Sequence, residues 1–476
     1  MLDQPLVPAQ FLFVLLLILH KPFVSALANV QLKPGELSFT HQHELLPRYG
    51  HSLSKDTPRA PVQSTTFDNR INRISSQPPT KSILDVKLKT RPTAIYRPRS
   101  LDLFHEERRT ALHREKGRIH NQEQSRTVNV NWDIIYLDGP DVQNLQTLAQ
   151  LARMSGNAYA LGPTQKNWYE LDRAWNVSFP FGYEDAEDGF RGHVFLSSDN
   201  STIVLAIKGT TLQGPTSKKD KFNDNLLFSC CCARVDFSWV FRQVCDCYSG
   251  SWKCDNTCLS NALVEESLLY TVGLNLVNDL LALYPSANLW LVGHSLGGAL
   301  ASLLGSTFGL PAVAFESPGE RLAALRLGLP IPTPLPAQQL LPELDVIPGR
   351  ILIPSLSPTT HIYHTADPIP QGTCTGPFSP CSQTGYALET RCHLGQSIVF
   401  DTVTELGWKV DLRKHPIREV VGLMEMWDQE EEVTNFGEAR RRQVPEAKEE
   451  VDCVDCFKWE FGEFKDKELE HPVCGD

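Results

Sequence analysis

Positive charge is in short supply in this chain. Its 45 Lys and Arg stand against 56 Asp and Glu, a formal net charge of −11 over 476 residues. That balance excludes a nucleic-acid binder working through a basic face. No glycine-rich phosphate cradle is evident either. The apolar run at the N-terminal end, Phe11 to Leu19, lasts nine residues before His20, Lys21 and Pro22 interrupt it. Nine helical residues fall far short of a hydrocarbon core about 30 Å thick. Zinc-ligand spacing is thin too: Cys453-x-x-Cys456 could form half a site, but no second C-x-x-C or H-x-H pair stands at a ligand spacing.

Cysteine, by contrast, is plentiful. The chain has 13, clustered at 230–258, 374–392 and 453–474, which points to disulfides and an oxidising compartment. The odd total leaves at least one thiol unpaired or linked between chains. The stretch 230–258 could form a lid or a brace. Two N-x-S/T triplets, at Asn176 and Asn200, are glycan acceptors if the chain enters the secretory route. The N-terminal residues 1–28 fit that route as a cleaved signal ending at Ala26-Leu27-Ala28 or as a signal anchor. Asp3 and the lack of Lys or Arg in the first stretch argue against cleavage. Both readings put the rest of the chain on the lumenal side.

Residues 29–127 are polar, scattered with Pro and Ser and without sustained periodicity, which predicts a loosely attached lumenal region. The globular domain is expected over 128–427. There Asp141 stands as a possible N-cap for a helix to Ser155, and β-branched runs at His193–Leu196 and Thr202–Ile207 read as neighbouring strands. A long amphipathic helix over Glu265–Tyr284 leads into the strand Asn288–Val292, and Pro311–Phe315 and Thr360–His364 are further strands. Strands alternating with helices imply an α/β fold with a mostly parallel sheet. Residues 327–358 are crowded with Pro and Leu and read as an inserted loop. The tail 428–476 is acidic and solvated, with cysteines that tie part of it down.

Chemistry enters at Gly293-His-Ser-Leu-Gly297, set between the strand and the run Gly298–Leu304. Strand, sharp turn and helix make a nucleophile elbow, whose glycines let the backbone lift a serine hydroxyl above the sheet. Ser295 is thus the candidate nucleophile, and it needs a base and a group to orient that base. Parallel-sheet hydrolases place these downstream in the order acid, then histidine. Asp367, just past the strand Thr360–His364, is preferred over Asp345, Asp401 and Asp411. Of the late histidines, His415 is favoured over His393, while His361 and His364 read as packed strand residues. The oxyanion donors are expected to be the backbone N–H of Leu296 and, at the end of an early strand, Thr210.

The ordered strings Arg191-Gly-His-Val-Phe195, Ala206-Ile-Lys-Gly-Thr210, Asp224 to Arg234, Gly293 to Gly298, Pro311 to Glu320, His364 to Pro370 and Cys453-Val-Asp-Cys-Phe457 resemble the class 3 lipases, and within them the fungal autophagy-related vacuolar lipases. The resemblance covers roughly 133–459. It implies an α/β-hydrolase fold with Ser295, Asp367 and His415 as triad and no metal or organic cofactor. It also implies a retained signal anchor of a type II membrane protein that travels through endoplasmic reticulum, Golgi and multivesicular bodies to the vacuole. The substrates it implies are phospholipids and other acyl lipids of vesicle membranes. The Pro-rich segment 327–358 is longer than that pattern. The competing classes are a serine peptidase or general esterase and an inactive, membrane-anchored scaffold.

Overall fold

A computed structural model of the chain describes residues 88–114, 130–175, 177–183, 189–232, 244–266, 268–332, 346–347, 350–351, 357–373, 381, 386–429, 431–433, 439–450 and 452–464. The expected anchor at 1–28, the sequon Asn176, Asp345 and most of the Pro-rich segment lie outside these residues. No helix among the described residues is long and apolar enough to cross a membrane.

The central element is an eight-stranded sheet. Its strands are β3 (Val177–Phe181), β4 (Gly192–Leu196), β5 (Thr202–Ile207), β7 (Asn288–His294), β8 (Ala312–Phe315), β9 (Thr359–His364), β10 (Gln396–Phe400) and β11 (Lys448–Glu449). Outside it, β1 (Thr90–Pro98) pairs with β2 (Trp132–Pro140), β6 (Lys253–Asp255) pairs with β12 (Glu460–Gly462), and two short hairpins join Val346–Ile347 to Arg350–Ile351 and Glu431–Val433 to Ala439–Arg441. Spatial order in the sheet is β11-β10-β9-β8-β7-β5-β4-β3. The five strands from β10 to β5 run parallel, and antiparallel strands flank them on both edges.

The centre reads as unbroken apolar sequence because both faces are covered. Side chains alternate in direction along each strand. In β5, Ile203, Leu205 and Ile207 join one buried cluster, with Leu289 and Leu291 of β7 and the helices α5 (Leu268–Leu283) and α6 (Leu296–Phe308). Val204 and Ala206 face the other, with Trp290, Val292, α2 (Leu145–Asn157) and α9 (Ile417–Gln429). The remaining helices are α1 (Leu101–Arg114), α3 (Ser217–Phe228), α4 (Asn256–Glu266), α7 (Arg321–Arg326) and α8 (Thr402–Leu406).

Three expectations change. Of the region expected to be loosely attached, 29–87 and 115–127 lie outside the described residues, and the described part is held: β1 pairs with β2 over its whole length, and Ile95 and Phe104 are buried. Arg97 donates to the carbonyl of Gly309, and Arg108 to that of Leu327. Two prolines and several arginines gave this stretch a linker's composition, and its partner strand is more than thirty residues away. Asp141 does not cap α2; Asn144 does, accepting from the N–H of Thr147 at 2.9 Å. The helix expected over Glu265–Tyr284 is present as α5, Leu268–Leu283, with α4 ending at Glu266 and residue 267 outside the described residues. Finally, the tail is less solvated than its acidity suggests. It supplies edge strand β11, β12 pairs in parallel with β6, and Trp459 packs into the core.

Disulfides secure this outer layer. Cys231–Cys254, Cys232–Cys245 and Cys247–Cys258 knit the stretch 230–258 into a brace, while Cys230–Cys456 and Cys392–Cys453 fasten the tail. The C-x-x-C pair thus spends both sulfurs on disulfides, and the zinc alternative falls away.

Candidate active site

The elbow between β7 and α6 holds Ser295 at φ 57°, ψ −130°, a conformation that side chains rarely adopt. Its N–H donates to Phe315 and its carbonyl accepts from Gly298, so the turn is fixed from both sides. The flanking glycines are sterically required. A Cβ on Gly293 would lie 2.2 Å from the carbonyl oxygen of Gly297, and one on Gly297 2.2 Å from that of Ile207.

Downstream loops converge on this hydroxyl. Nε2 of His415 lies 2.9 Å from Ser295 Oγ, and its Nδ1 lies 2.6 Å from Asp367 Oδ2. The structure therefore brings Ser295, Asp367 and His415 together in one line of contacts. Asp367 is fully buried, and its other oxygen accepts from the N–H of Ile369 at 3.0 Å. Burial pushes this carboxyl up, but the neighbouring His415 outweighs burial and holds it below the ordinary carboxylate range. The N–H of Asp411 donates to the carbonyl of Ala366, which joins the acid loop to the base loop.

The alternatives have other tasks. Asp411 caps the short helix Leu412–Lys414, and Asp401 caps α8. His393 directs Nδ1 at Glu450 (2.7 Å) and Nε2 at the carbonyl of Ser317 (3.1 Å). Burial pulls His393 down, but Glu450 more than offsets it, so the ring is held charged with both nitrogens donating. No lone pair remains to act as base or metal ligand. His361 faces Glu320 at 3.1 Å, as a packed strand residue.

Thr210 lies on the loop after β5, close against the elbow. A Cβ on the preceding Gly209 would stand 2.2 Å from the carbonyl oxygen of His294 and 3.1 Å from the Cβ of Ser295. Leu296, the other expected donor, is the first residue of α6, where its N–H has no partner within the helix.

Several contributing residues escaped the sequence reading. The Thr210 hydroxyl lies 2.5 Å from Oδ2 of Asp224, so its proton is committed there and the backbone N–H is the group left to point at substrate. Burial pushes Asp224 up to about 7. Lys208 Nζ reaches the carbonyl of Gly209, the hydroxyl of Thr211 and Asp220, the last at 2.8 Å, all in the interior. Buried charges need such pairing, and here the pairing also clamps the loop that carries Thr210. His294 has Nδ1 2.8 Å from the Tyr159 hydroxyl and Nε2 2.8 Å from the carbonyl of His415. Lys208, Asp224 and His294 sit inside the strings that carry the resemblance, but Tyr159 lies far outside them, and no spacing rule ties it to a His at 294.

A cavity of about 240 Å³ opens over Ser295 and His415, lined by Leu212, Ile369, Tyr386, Leu388 and Ile417 among others. An apolar channel ending at a hydroxyl, an imidazole and a loop of backbone N–H groups suits an ester with a hydrocarbon arm.

The profile of the family Lipase (class 3) matches residues 207–310, which run from the end of β5 through the elbow to the end of α6. The protein named "Putative lipase ATG15" of Cryptococcus neoformans var. neoformans serotype D (strain B-3501A) is 46% identical over 386 aligned residues, covering 70% of this chain and 70% of its own. That of Saccharomyces cerevisiae (strain S288c) is 41% identical over 349 residues, covering 71% of this chain and 60% of its own. Among solved structures, Yarrowia lipolytica LIP2 lipase is similar over 55% of this chain and 81% of its own, with 18% identity and a TM-score of 0.29. The mostly parallel sheet and the family match make the fold an α/β hydrolase. The chain belongs to the ATG15 lipases, within the class 3 lipase family.

Proposed function

We propose that Ser295, His415 and Asp367 are the catalytic triad of a lumenal lipase that hydrolyses acyl esters of vesicle membrane lipids, and that this activity lyses autophagic and multivesicular bodies in the vacuole. One observation carries the proposal: the unbroken run of contacts from Asp367 Oδ2 through both ring nitrogens of His415 to Ser295 Oγ. In this reading His415 takes the serine proton as Oγ attacks the ester carbonyl, then returns it to the leaving alcohol. Asp367 fixes the tautomer with Nδ1 protonated and stabilises the imidazolium. The negative charge on the carbonyl oxygen is received by the N–H groups of Leu296 and Thr210. Water, activated by the same histidine, then releases the acyl group, and the cycle calls for no metal or organic cofactor.

The apolar cavity favours lipid acyl chains over the polar backbone of a peptide. Membrane access fits a single-pass type II anchor in residues 1–28, with transit through endoplasmic reticulum, Golgi and endosome. Asn200, at the turn between β4 and β5, is partly exposed and accessible to a glycan; Asn176 is the second acceptor.

The experiment is fatty-acid release by the purified protein from phospholipid vesicles and from a triglyceride emulsion, with Ser295→Ala alongside. Release from vesicles that Ser295→Ala abolishes supports the proposal. In cells, Ser295→Ala should stop vesicle breakdown while delivery continues. Breakdown unchanged by the substitution would instead assign the chain a scaffolding role.

A further inference from the structure

Directly behind the catalytic carboxylate stands a second carboxyl that the reaction scheme does not use. Glu316 follows β8 and is 1% exposed. Its backbone adopts φ 44°, unusual for a residue with a side chain, and its N–H donates to the carbonyl of Ile362. Oε1 accepts from the N–H of His364 at 3.1 Å. Oε2 is buried and meets no donor. Glu316 and Asp367 are buried against the same turn, since the His364 N–H donates to Glu316 at 3.1 Å and the Asp367 N–H donates to the His364 carbonyl, and each carboxyl is the other's neighbouring acid.

Two neighbouring carboxylates in a dry interior cannot both be ionised, so one must hold a proton. Asp367 already receives the imidazole N–H of His415 and the N–H of Ile369, whereas Glu316 has only the His364 amide. The negative charge therefore belongs to Asp367 and the proton to Oε2 of Glu316, where it also satisfies the otherwise orphaned oxygen.

We propose that Glu316 is a neutral positioning residue, donating Oε2–H to the carboxylate of Asp367 and so holding that carboxylate ionised and aimed at His415. This rests on the triad reading above. The proton stays on Glu316 throughout turnover, and no bond to substrate is made by it. The strained backbone at 316 is then the cost of setting this side chain under the acid loop. Burial, and after it Asp367, push Glu316 well above the ordinary range, in agreement with a retained proton.

Other groups facing this carboxyl are few. His364 Nε2 lies 3.6 Å from Oε1 but is turned toward the carbonyl of Lys414. Burial lowers His364, which keeps it neutral. The Tyr363 phenol on the same strand feels Glu316 and is raised, chiefly by burial. His415 lies beyond Asp367. None of them supplies a donor to Oε2.

The test compares full-length wild type, Glu316→Gln and Glu316→Leu, with kcat and KM for a soluble ester measured across pH. Glu316→Leu removes the donor, and kcat should fall roughly 10- to 100-fold with KM little changed. Its acid limb should also shift to higher pH, because Asp367 protonates more easily. Glu316→Gln presents N–H to Asp367 and C=O to the His364 amide, so it should recover most of that loss. It should also outlast wild type at alkaline pH, where Glu316 finally ionises. Infrared spectra at neutral pH should show a carboxylic-acid carbonyl band in wild type that Glu316→Gln lacks. The idea is overturned if Glu316→Gln is as impaired as Glu316→Leu, if Glu316→Leu matches wild type, or if no such band is lost. Should Glu316→Leu fail to fold, Glu316→Gln and the infrared band still decide. A fully active Ser295→Ala would sink the triad reading and this inference with it, whereas an inactive Ser295→Ala beside an unimpaired Glu316→Leu sinks the inference alone.

Discussion

Nε2 of His294 donates to the backbone carbonyl of His415 at 2.8 Å, so the residue before Ser295 holds His415 in place. Burial, then the neighbouring His415, pull His294 down to about 3, so the ring is neutral with Nε2 protonated. Nδ1 then accepts from the Tyr159 hydroxyl. His294→Leu removes this tether and should lower kcat by up to about 100-fold, the usual penalty for misplacing a reacting group by an ångström. Tyr159→Phe, which leaves Nε2 bonded, should cost much less. Steady-state kinetics on a soluble ester check both, and equal losses would contradict the tether.

The pairing of Thr210 with Asp224 makes a second prediction. If Asp224 fixes the loop that carries the Thr210 N–H, then Asp224→Ala should reduce kcat by as much as about 10²–10³-fold, the range for losing one oxyanion donor. Asp224→Asn keeps an acceptor oxygen and should retain more activity. A transition-state-like phosphonate should lose affinity in step with kcat. An Asp224→Ala protein with wild-type kcat would show that the loop needs no such anchor.

Stability should peak on the acid side. Glu450, whose burial is outweighed by its bonds to His393, sits at about 2 against an ordinary 4.5, so its contribution is complete above 4.5 and is lost as pH falls toward 2. His393 is raised above 6.5, so its contribution is complete below 6.5 and is lost as pH rises through its higher folded value. Asp224 is raised from 3.8 to about 7, so it too takes stability away as pH climbs across that interval. His294, lowered from 6.5 to about 3, adds stability as pH climbs across that range and offsets Asp224 there, so thermal unfolding followed across pH should show a broad maximum between about 4.5 and 6.5. Asp224→Asn should flatten the decline toward neutrality, and Glu450→Gln should remove part of the acid-side fall. A maximum above pH 8 would contradict the assignment.

Cys230–Cys456 spans 226 residues and fastens the tail to the brace around 230–258. Replacing both cysteines by serine should destabilise the fold by about 2–5 kcal/mol, less than one loop of that length suggests because Cys392–Cys453 already restrains the tail. Limited proteolysis should then cleave between 429 and 460 before the catalytic core. Unaltered cleavage would mean that Cys392–Cys453 and the packing of Trp459 hold the tail without it.

The parallel centre of the sheet and the elbow were legible because each is written locally: β5 and β7 are continuous apolar runs, and glycines flank Ser295. Asp367 and His415 could be placed by chain order and loop position, and the structure brings His415 to the Ser295 hydroxyl and Asp367 to His415. What escaped depends on contacts between distant segments. The pairing of Thr90–Pro98 with Trp132–Pro140 leaves no local periodicity that outweighs its prolines and arginines. The roles of Lys208, Asp220 and Glu316 arise from burial, which a charged residue in a sequence does not announce. Tail cysteines signalled attachment, but not that Cys456 meets Cys230.

The most direct measurement is the site of covalent capture by a lipid-like phosphonate ester, read by mass spectrometry of the digested full-length protein. The account predicts a single adduct on the Ser295 hydroxyl, formed rapidly by wild type, slowed roughly 10⁴-fold in Asp367→Asn and absent from Ser295→Ala together with lipid hydrolysis. Capture at another residue, or undiminished fatty-acid release by Ser295→Ala, would contradict it.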